Sequence, residues 1–198
     1  MPQQNKKQNK LKKILGLFNP KTLKGGIALF ALVFAIGGGV YFLYRSFAAT
    51  GGAGSFHTCW VKTSDKTLWC WGGNGQGQLG LGDRTNRLIP TKVNISNVSQ
   101  VSTGDRHTCA TKTDGTLWCW GDNYNGQLGL GDRTDRLIPK QLYFNNVSQV
   151  SGGGSHTCAA KSDGTLWCWG DNSLGQIGTG DAIGYRYPTP TKLFFTWK

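Results

Sequence analysis

Short apolar runs alternate with glycine-rich polar stretches along most of this chain, and the same order occurs three times. His107–Asn123 reads HTCATKTDGTLWCWGDN, and His156–Asn172 reads HTCAAKSDGTLWCWGDN. His57–Asn74 reads HTCWVKTSDKTLWCWGGN, with one residue more. The copies begin 50 and 49 residues apart. A repeat of this length predicts one supersecondary unit per copy, such as a four-stranded blade.

Two apolar runs on either side of a short turn predict a β-hairpin in each copy. With Ser162, Asp163 and Gly164 as a three-residue loop, Cys158 lies opposite Cys168. The extra residue of the first copy falls in its turn, so the cysteines there remain opposed. Directly opposed residues of an antiparallel pair are close enough for a disulfide. We therefore predict the disulfides Cys59–Cys70, Cys109–Cys119 and Cys158–Cys168.

Further strands are predicted around each hairpin. A glycine-rich loop and a proline lead to TKVNI, KQLYF or TKLFF, and NVSQVS precedes the second and third hairpins. Both hairpin faces are apolar, so each sheet must stack against its neighbours. The predicted fold class is all-β, with three four-stranded β-propeller blades within 56–198. The repeats run over about 51–100, 101–150 and 151–198.

The N-terminal quarter of the chain has a different pattern. Residues 27–44 are eighteen uncharged, mostly apolar residues behind a lysine-rich stretch, which predicts a membrane-spanning or signal helix over 25–45. Residues 1–24 would be a basic cytoplasmic tail and 46–55 a linker, with the repeats outside the cytoplasm. The alternative is cleavage near Ala48 and secretion, because SFAAT offers small residues to a signal peptidase.

The net charge of +12 belongs mainly to this N-terminal segment. Eight of the 22 basic residues and none of the ten acidic ones lie in the first 45 residues. The remaining chain is close to balanced, which argues against a nucleic-acid partner.

Candidate chemistry is sparse in the repeats. The cysteines lack zinc-site spacing, and no catalytic set stands out from the repeated background, so neither a metal, a cofactor nor an enzyme is expected. We interpret the repeated His57, His107 and His156 as structural hydrogen-bonding residues, and their even spacing would place them far apart around a ring.

The string GxxHTCAxKxDGTLWCWGxNxxGQLGxGD resembles the repeat of the regulator of chromosome condensation family, most closely its secreted bacterial versions. The resemblance covers residues 51 to about 196. It implies four-stranded β-propeller blades, usually seven to a ring, that present loops to a protein partner. The nuclear founder is a nucleotide-exchange factor for a small GTPase and binds chromatin, roles that an extracytoplasmic leader disfavours.

Three copies are too few to close such a ring. Three explanations stay open: a fragment of a larger propeller, an open stack of three blades, or a homo-oligomer joined through open blade edges, where unpaired strands invite strand addition.

The function we expect is protein binding without catalysis, to an unknown partner, with a structural, self-assembling surface role as the alternative. Residues that differ between otherwise identical copies are the candidates for partner contact, since tyrosine and arginine are favoured at interfaces. They are Phe56, Arg84, Arg87, Arg106, Tyr124, Asn125, Arg133, Asp135, Arg136, Tyr185 and Arg186.

Overall fold

The computed structural model describes residues 31–36, 39–44, 50–180 and 184–194. The chain divides into two compact units, Met1–Phe47 and Ala48–Lys198. In the first unit, strands β1 (Ala31–Ile36) and β2 (Gly39–Tyr44) pair in antiparallel fashion. The basic tail 1–24 and the cleavage region around Ala48 lie outside the described residues.

These two strands differ from the helix predicted over 25–45. Valine, isoleucine, phenylalanine and tyrosine dominate ALVFAI and GVYFLY, and such β-branched and aromatic residues favour strands. Three successive glycines, 37–39, also disfavour a continuous helix through this segment. In the part of the chain that the structure describes, no helix is long and apolar enough to cross a membrane.

The second unit consists of three four-stranded antiparallel sheets, each formed by strands consecutive in the chain. The first blade is β3-β4-β5-β6, the second β7-β8-β9-β10 and the third β11-β12-β13-β14. The strands are β3 (Gly51–Ala53), β4 (His57–Lys62), β5 (Thr67–Gly72), β6 (Arg87–Lys92), β7 (Val98–Thr103), β8 (His107–Lys112), β9 (Leu117–Gly121), β10 (Arg136–Gln141), β11 (Val147–Gly152), β12 (His156–Lys161), β13 (Leu166–Asp171) and β14 (Arg186–Lys192). The all-β prediction is confirmed.

The first blade begins inside the predicted linker 46–55. Its strand β3 has only three residues, GGA, where the other blades begin with six-residue strands from NVSQVS. The sequence signal for this strand is weak because two glycines replace the usual valine and serine. It pairs nevertheless, with Gly51 opposite Trp60.

The hairpin register agrees with the sequence prediction. Cys158 lies opposite Cys168, and Gly164 has a left-handed φ of 82°. The first copy accommodates its extra residue with Lys66 at a φ of 58°. All three predicted disulfides are present, each with a Cα–Cα distance of 4.1 Å.

Consecutive blades pack face to face through apolar side chains. Between the first two blades, Val61 and Leu68 of the first lie in one cluster with Val101 and Trp120 of the second. Between the second and third blades, the equivalent cluster joins two sets of side chains: Leu117, Leu128, Leu142 and Phe144 with Val147, Val150, Ala159 and Trp169. The predicted burial of both sheet faces is thus confirmed for the middle blade.

Candidate partner-binding face

The antiparallel strand order brings two kinds of loop to the same end of every blade. One is the turn between the first and second strands, and the other is the long loop between the third and fourth. We call this end the loop face. Its residues are 54–56 and 73–86 in the first blade, 104–106 and 122–135 in the second, and 153–155, 172–180 and 184–185 in the third.

An asparagine organises the long loop of each blade. The Asn123 side-chain amide donates to the carbonyl of Asp132 at 2.9 Å, and its oxygen accepts the backbone N–H of Leu128 at 3.0 Å. Asn74 makes the same contacts with Asp83 and Leu79, both at 2.9 Å. These bonds close the long loops of the first and second blades on themselves, so the tips of these two loops are held in a fixed conformation.

Two of the predicted partner residues belong to this internal framework. Arg87 pairs with Asp83 and Arg136 with Asp132, each at 2.6 Å and four residues apart. The Arg87 guanidinium, together with the Thr85 N–H, holds the pKa of the Asp83 carboxyl below its usual range. Both arginines have their charge matched inside their own loop.

Four other predicted residues come together across the second and third blades. The guanidinium carbons of Arg133 and Arg186 each lie 4.9 Å from the centre of the Tyr124 ring. Arg133 Nε donates to the Tyr124 carbonyl at 2.6 Å, and Arg186 Nε donates to Asn125 Oδ1 at 2.7 Å. We call these four residues the Tyr124 cluster. Its tyrosine is 61% exposed, so the rings and guanidinium groups are accessible.

A second contact joins the first and second blades. Arg84 pairs with Asp135 at 3.1 Å and donates to Gln76 Oε1 at 2.9 Å. Asp135 also accepts the backbone N–H of Asn123 at 3.0 Å. The predicted residues Arg84 and Asp135 therefore tie neighbouring loops together.

The remaining predicted residues lie on the same face. The Arg106 guanidinium carbon is 5.1 Å from the centre of the Phe56 ring, so this pair also bridges the first two blades. Tyr185 is 61% exposed. Gln76 of the first blade and Leu174 of the third are equivalent to Asn125, but the sequence analysis did not include them among the predicted partner residues. Comparison of the copies had marked this position as variable, and Leu174 is exposed there.

Behind the loop face, His57 and His107 each connect two blades through a chain of hydrogen bonds. His57 Nε2 lies 2.7 Å from Thr108 Oγ1, and that hydroxyl donates to the Gln78 carbonyl at 2.7 Å. Trp120 Nε1 donates to the same carbonyl at 3.0 Å. Since the threonine proton is already used, the hydroxyl accepts from His57, which places the imidazole proton on Nε2.

The same arrangement recurs between the second and third blades. His107 Nε2 lies 2.9 Å from Thr157 Oγ1, which donates to the Gln127 carbonyl at 2.8 Å. Trp169 Nε1 donates to that carbonyl at 2.9 Å. We call this His–Thr–Gln–Trp arrangement the interblade relay. It confirms the structural hydrogen-bonding role predicted for His57 and His107 and leaves that of His156 a prediction.

The two buried histidines are neutral, and the pKa of His107 also depends on the neighbouring histidines. Burial lowers the pKa of His57 to about 4. Burial also lowers the pKa of His107 to about 3, with further contributions from the neighbouring His57 and His156. The even spacing predicted histidines far apart around a ring, whereas His57 and His156 are both near enough to His107 to contribute to its lowered pKa.

Three antiparallel four-stranded sheets, packed face to face in chain order, are the blades of a β-propeller. A model described as Regulator of chromosome condensation (RCC1) repeat matches residues 65–111, 114–160 and 163–196. A second model of the same repeat matches residues 98–127 and 147–176. The chain belongs to the RCC1 repeat family.

Two curated proteins share part of the repeat sequence. The ultraviolet-B receptor UVR8 of Arabidopsis thaliana is 48% identical over 59 residues, which cover 28% of this chain and 13% of that protein. An X-linked retinitis pigmentosa GTPase regulator homolog of Caenorhabditis elegans is 44% identical over 59 residues, covering 28% and 4%. The matched part is therefore a small fraction of these relatives' length.

Solved structures share the fold. Prp20p of Saccharomyces cerevisiae superimposes with a TM-score of 0.68 and 18% identity, over 79% of this chain and 40% of that one. Human WBSCR16 superimposes with a TM-score of 0.65 and 23% identity, over 74% and 39%. The chain spans about 40% of the length of these propellers. Repeats of this family indicate a protein-binding or regulatory module.

Proposed function

We propose that this chain is a non-catalytic protein-binding module that works outside the cytoplasm and contacts its partner through the loop face. The observation that carries this proposal is the Tyr124 cluster. Tyr124 and Asn125 differ from the equivalent residues of both other copies, whereas the residues that build the blades recur. Exposed tyrosine held by arginine is a composition that protein interfaces favour.

The charge of the loop face favours an acidic partner segment. Arg84, Arg87 and Arg136 each pair with an aspartate. Within the described ranges, Arg106, Arg133 and Arg186 have no ion-pair partner and instead lie over aromatic rings. Arg133 and Arg186 use Nε in hydrogen bonds to Tyr124 and Asn125, and their Nη groups can donate to a carboxylate in a bidentate geometry.

We also infer that this module does not catalyse a reaction. The histidine, threonine and glutamine of the interblade relay recur in every copy, and they serve blade packing between the described blades. A catalytic group is expected to stand apart from such a repeated background.

The Tyr124 cluster is tested by removing its two guanidinium groups. We expect the variant Arg133→Ala/Arg186→Ala to lose roughly a hundredfold in partner affinity, since two interface arginines are removed at once. The measurement is quantitative capture of proteins from solubilised surface fractions of the source cells by immobilised protein. The control Lys92→Ala/Lys140→Ala removes the same charge from exposed positions on outer strands. Equal capture by both variants would show that the loop face is not the binding site.

The proposed location rests on the lysine-rich, then apolar N-terminal segment and on three disulfides, which persist in oxidising compartments. With epitopes at both ends of the chain, we expect protease added to intact cells to remove the C-terminal epitope and spare the N-terminal one. Release of the repeats into the medium would indicate a cleaved leader. A C-terminal epitope that is protected until the cells are permeabilised would contradict an extracytoplasmic location.

A further inference from the structure

The interblade relay is directional, because the earlier blade always supplies histidine and the glutamine carbonyl. The later blade supplies threonine and tryptophan. The two outer blades therefore present opposite halves of a relay. The first blade offers Thr58 and Trp71, and the third offers His156 and the carbonyl of Gln176. All four residues are half-buried, whereas the inner His107, Thr108 and Trp120 are fully buried.

At each contact between neighbouring blades, the relay tryptophan packs directly against a glycine of the earlier blade. A Cβ on Gly80 would stand 2.7 Å from Trp120 Nε1, and one on Gly129 would stand 2.7 Å from Trp169 Nε1. The equivalent glycine of the third blade, Gly178, is exposed, and a Cβ there would meet only Leu193 at 3.9 Å among the described residues. The third blade thus carries the same receiving surface, and no tryptophan among the described residues packs on it.

A glutamine side chain makes a second set of hydrogen bonds between blades. Gln100 is buried, and its side-chain amide bonds both the carbonyl and the N–H of Val150 in the next blade, at 3.2 Å each. Gln149 occupies the same position in the third blade and is exposed. The strand position that receives it corresponds to Gly51 of the first blade, which lies opposite Trp60 as Val150 lies opposite Ala159.

The apolar parts of the two outer faces also correspond. On the first blade, Trp60 is 53% exposed, and its ring lies over Gly51, replacing the valine side chain that this position lacks. On the third blade, Leu166 and Leu193 are half-buried, although the equivalent Leu117 and Leu142 are fully buried. Burial of these side chains against one another would remove apolar surface from water at both ends of the stack.

We propose that the first blade of one copy of this chain docks on the third blade of a second copy, so that Trp71 and Thr58 complete a relay with Gln176 and His156. The contact joins two different faces, so it is heterologous and repeats head to tail. Unlike association through strand edges, it uses blade faces. The outermost strands are poor edges for strand addition because Pro90 and Pro139 lie within β6 and β10.

The test uses two full-length variants that each block one face. Thr58→Arg places a long cation on the first-blade face, and Leu193→Arg places one on the third-blade face. Wild-type protein should form dimers or larger assemblies in light scattering at micromolar concentration in mild detergent. Each variant alone should be monomeric, because every copy then lacks one half of the contact. A mixture of the two, carrying different affinity tags, should form a heterodimer through the one intact pair of faces.

Three results would overturn the proposal. They are a monomeric wild type, a single variant that still self-associates, and a mixture that stays monomeric. Unchanged circular dichroism and the absence of free thiols establish that both variants are folded. A finer variant, Trp71→Phe, keeps an aromatic ring and removes the N–H donor together with part of the indole, and we expect it to weaken association by roughly threefold to tenfold. If Trp71→Phe associated as strongly as the wild type, the relay would not contribute to the contact between copies.

Discussion

Acidification from pH 6.5 to 5 should destabilise the repeats by about 3 kcal/mol through His57 and His107 together, because each contributes about 1.4 kcal/mol per pH unit once its unfolded imidazole is protonated and about half of that near pH 6.5. Both imidazoles are buried and neutral, with pKa values lowered to about 4 and about 3. In the unfolded chain their pKa is near 6.5, so the unfolded state binds more protons between these values. The stabilisation is therefore complete above pH 6.5, and it is lost as the pH falls towards 4 for His57 and 3 for His107.

The experiment is urea unfolding at a series of pH values, with His107→Gln as the matched comparison. Glutamine offers an N–H donor to Thr157 but does not titrate in this range. We expect its unfolding free energy to depend about half as steeply on pH between 5 and 6.5. His156 adds a smaller contribution, since it is half-buried and its pKa is lowered by burial. If His107→Gln kept the wild-type slope, the buried histidines would not be the source of acid sensitivity.

Trp120→Ala should cost about 3–5 kcal/mol of unfolding free energy, the usual range for removal of a fully buried tryptophan. The indole fills the contact between the first two blades and donates to the Gln78 carbonyl. Trp71 occupies the same strand position in the first blade but is half-buried. In dilute protein, where association between copies does not contribute, Trp71→Ala should cost less than half as much. Equal losses from the two substitutions would show that blade stacking does not determine stability.

The hairpins and disulfides could be predicted because they depend on residues close in the chain. Cys109 and Cys119 are ten residues apart, and the turn length fixes which residues face each other. The short strand β3 was missed because glycines replace the usual apolar residues there. The helix over 25–45 was predicted from hydropathy alone, whereas the strands follow the β-branched and aromatic content of that segment.

The grouping of the candidate site needed the structure. Internal comparison selected Tyr124 and Arg186 separately as variable residues, but their contact joins blades and spans about sixty residues of chain. The same comparison could not separate Arg136 from Arg133, because both are arginines of one loop. Only the ion pair with Asp132 shows that Arg136 holds the loop together.

The direction of the interblade relay allows such a chain to lengthen by duplication of a whole repeat unit. Every contact is made by the carbonyl and histidine of one unit with the hydroxyl and indole of the unit that follows it. A tandem duplication of one whole unit, about fifty residues, therefore creates a new junction with all four groups already in place. The sequence can thus gain or lose blades in whole steps, each compatible with its neighbours from the moment it arises.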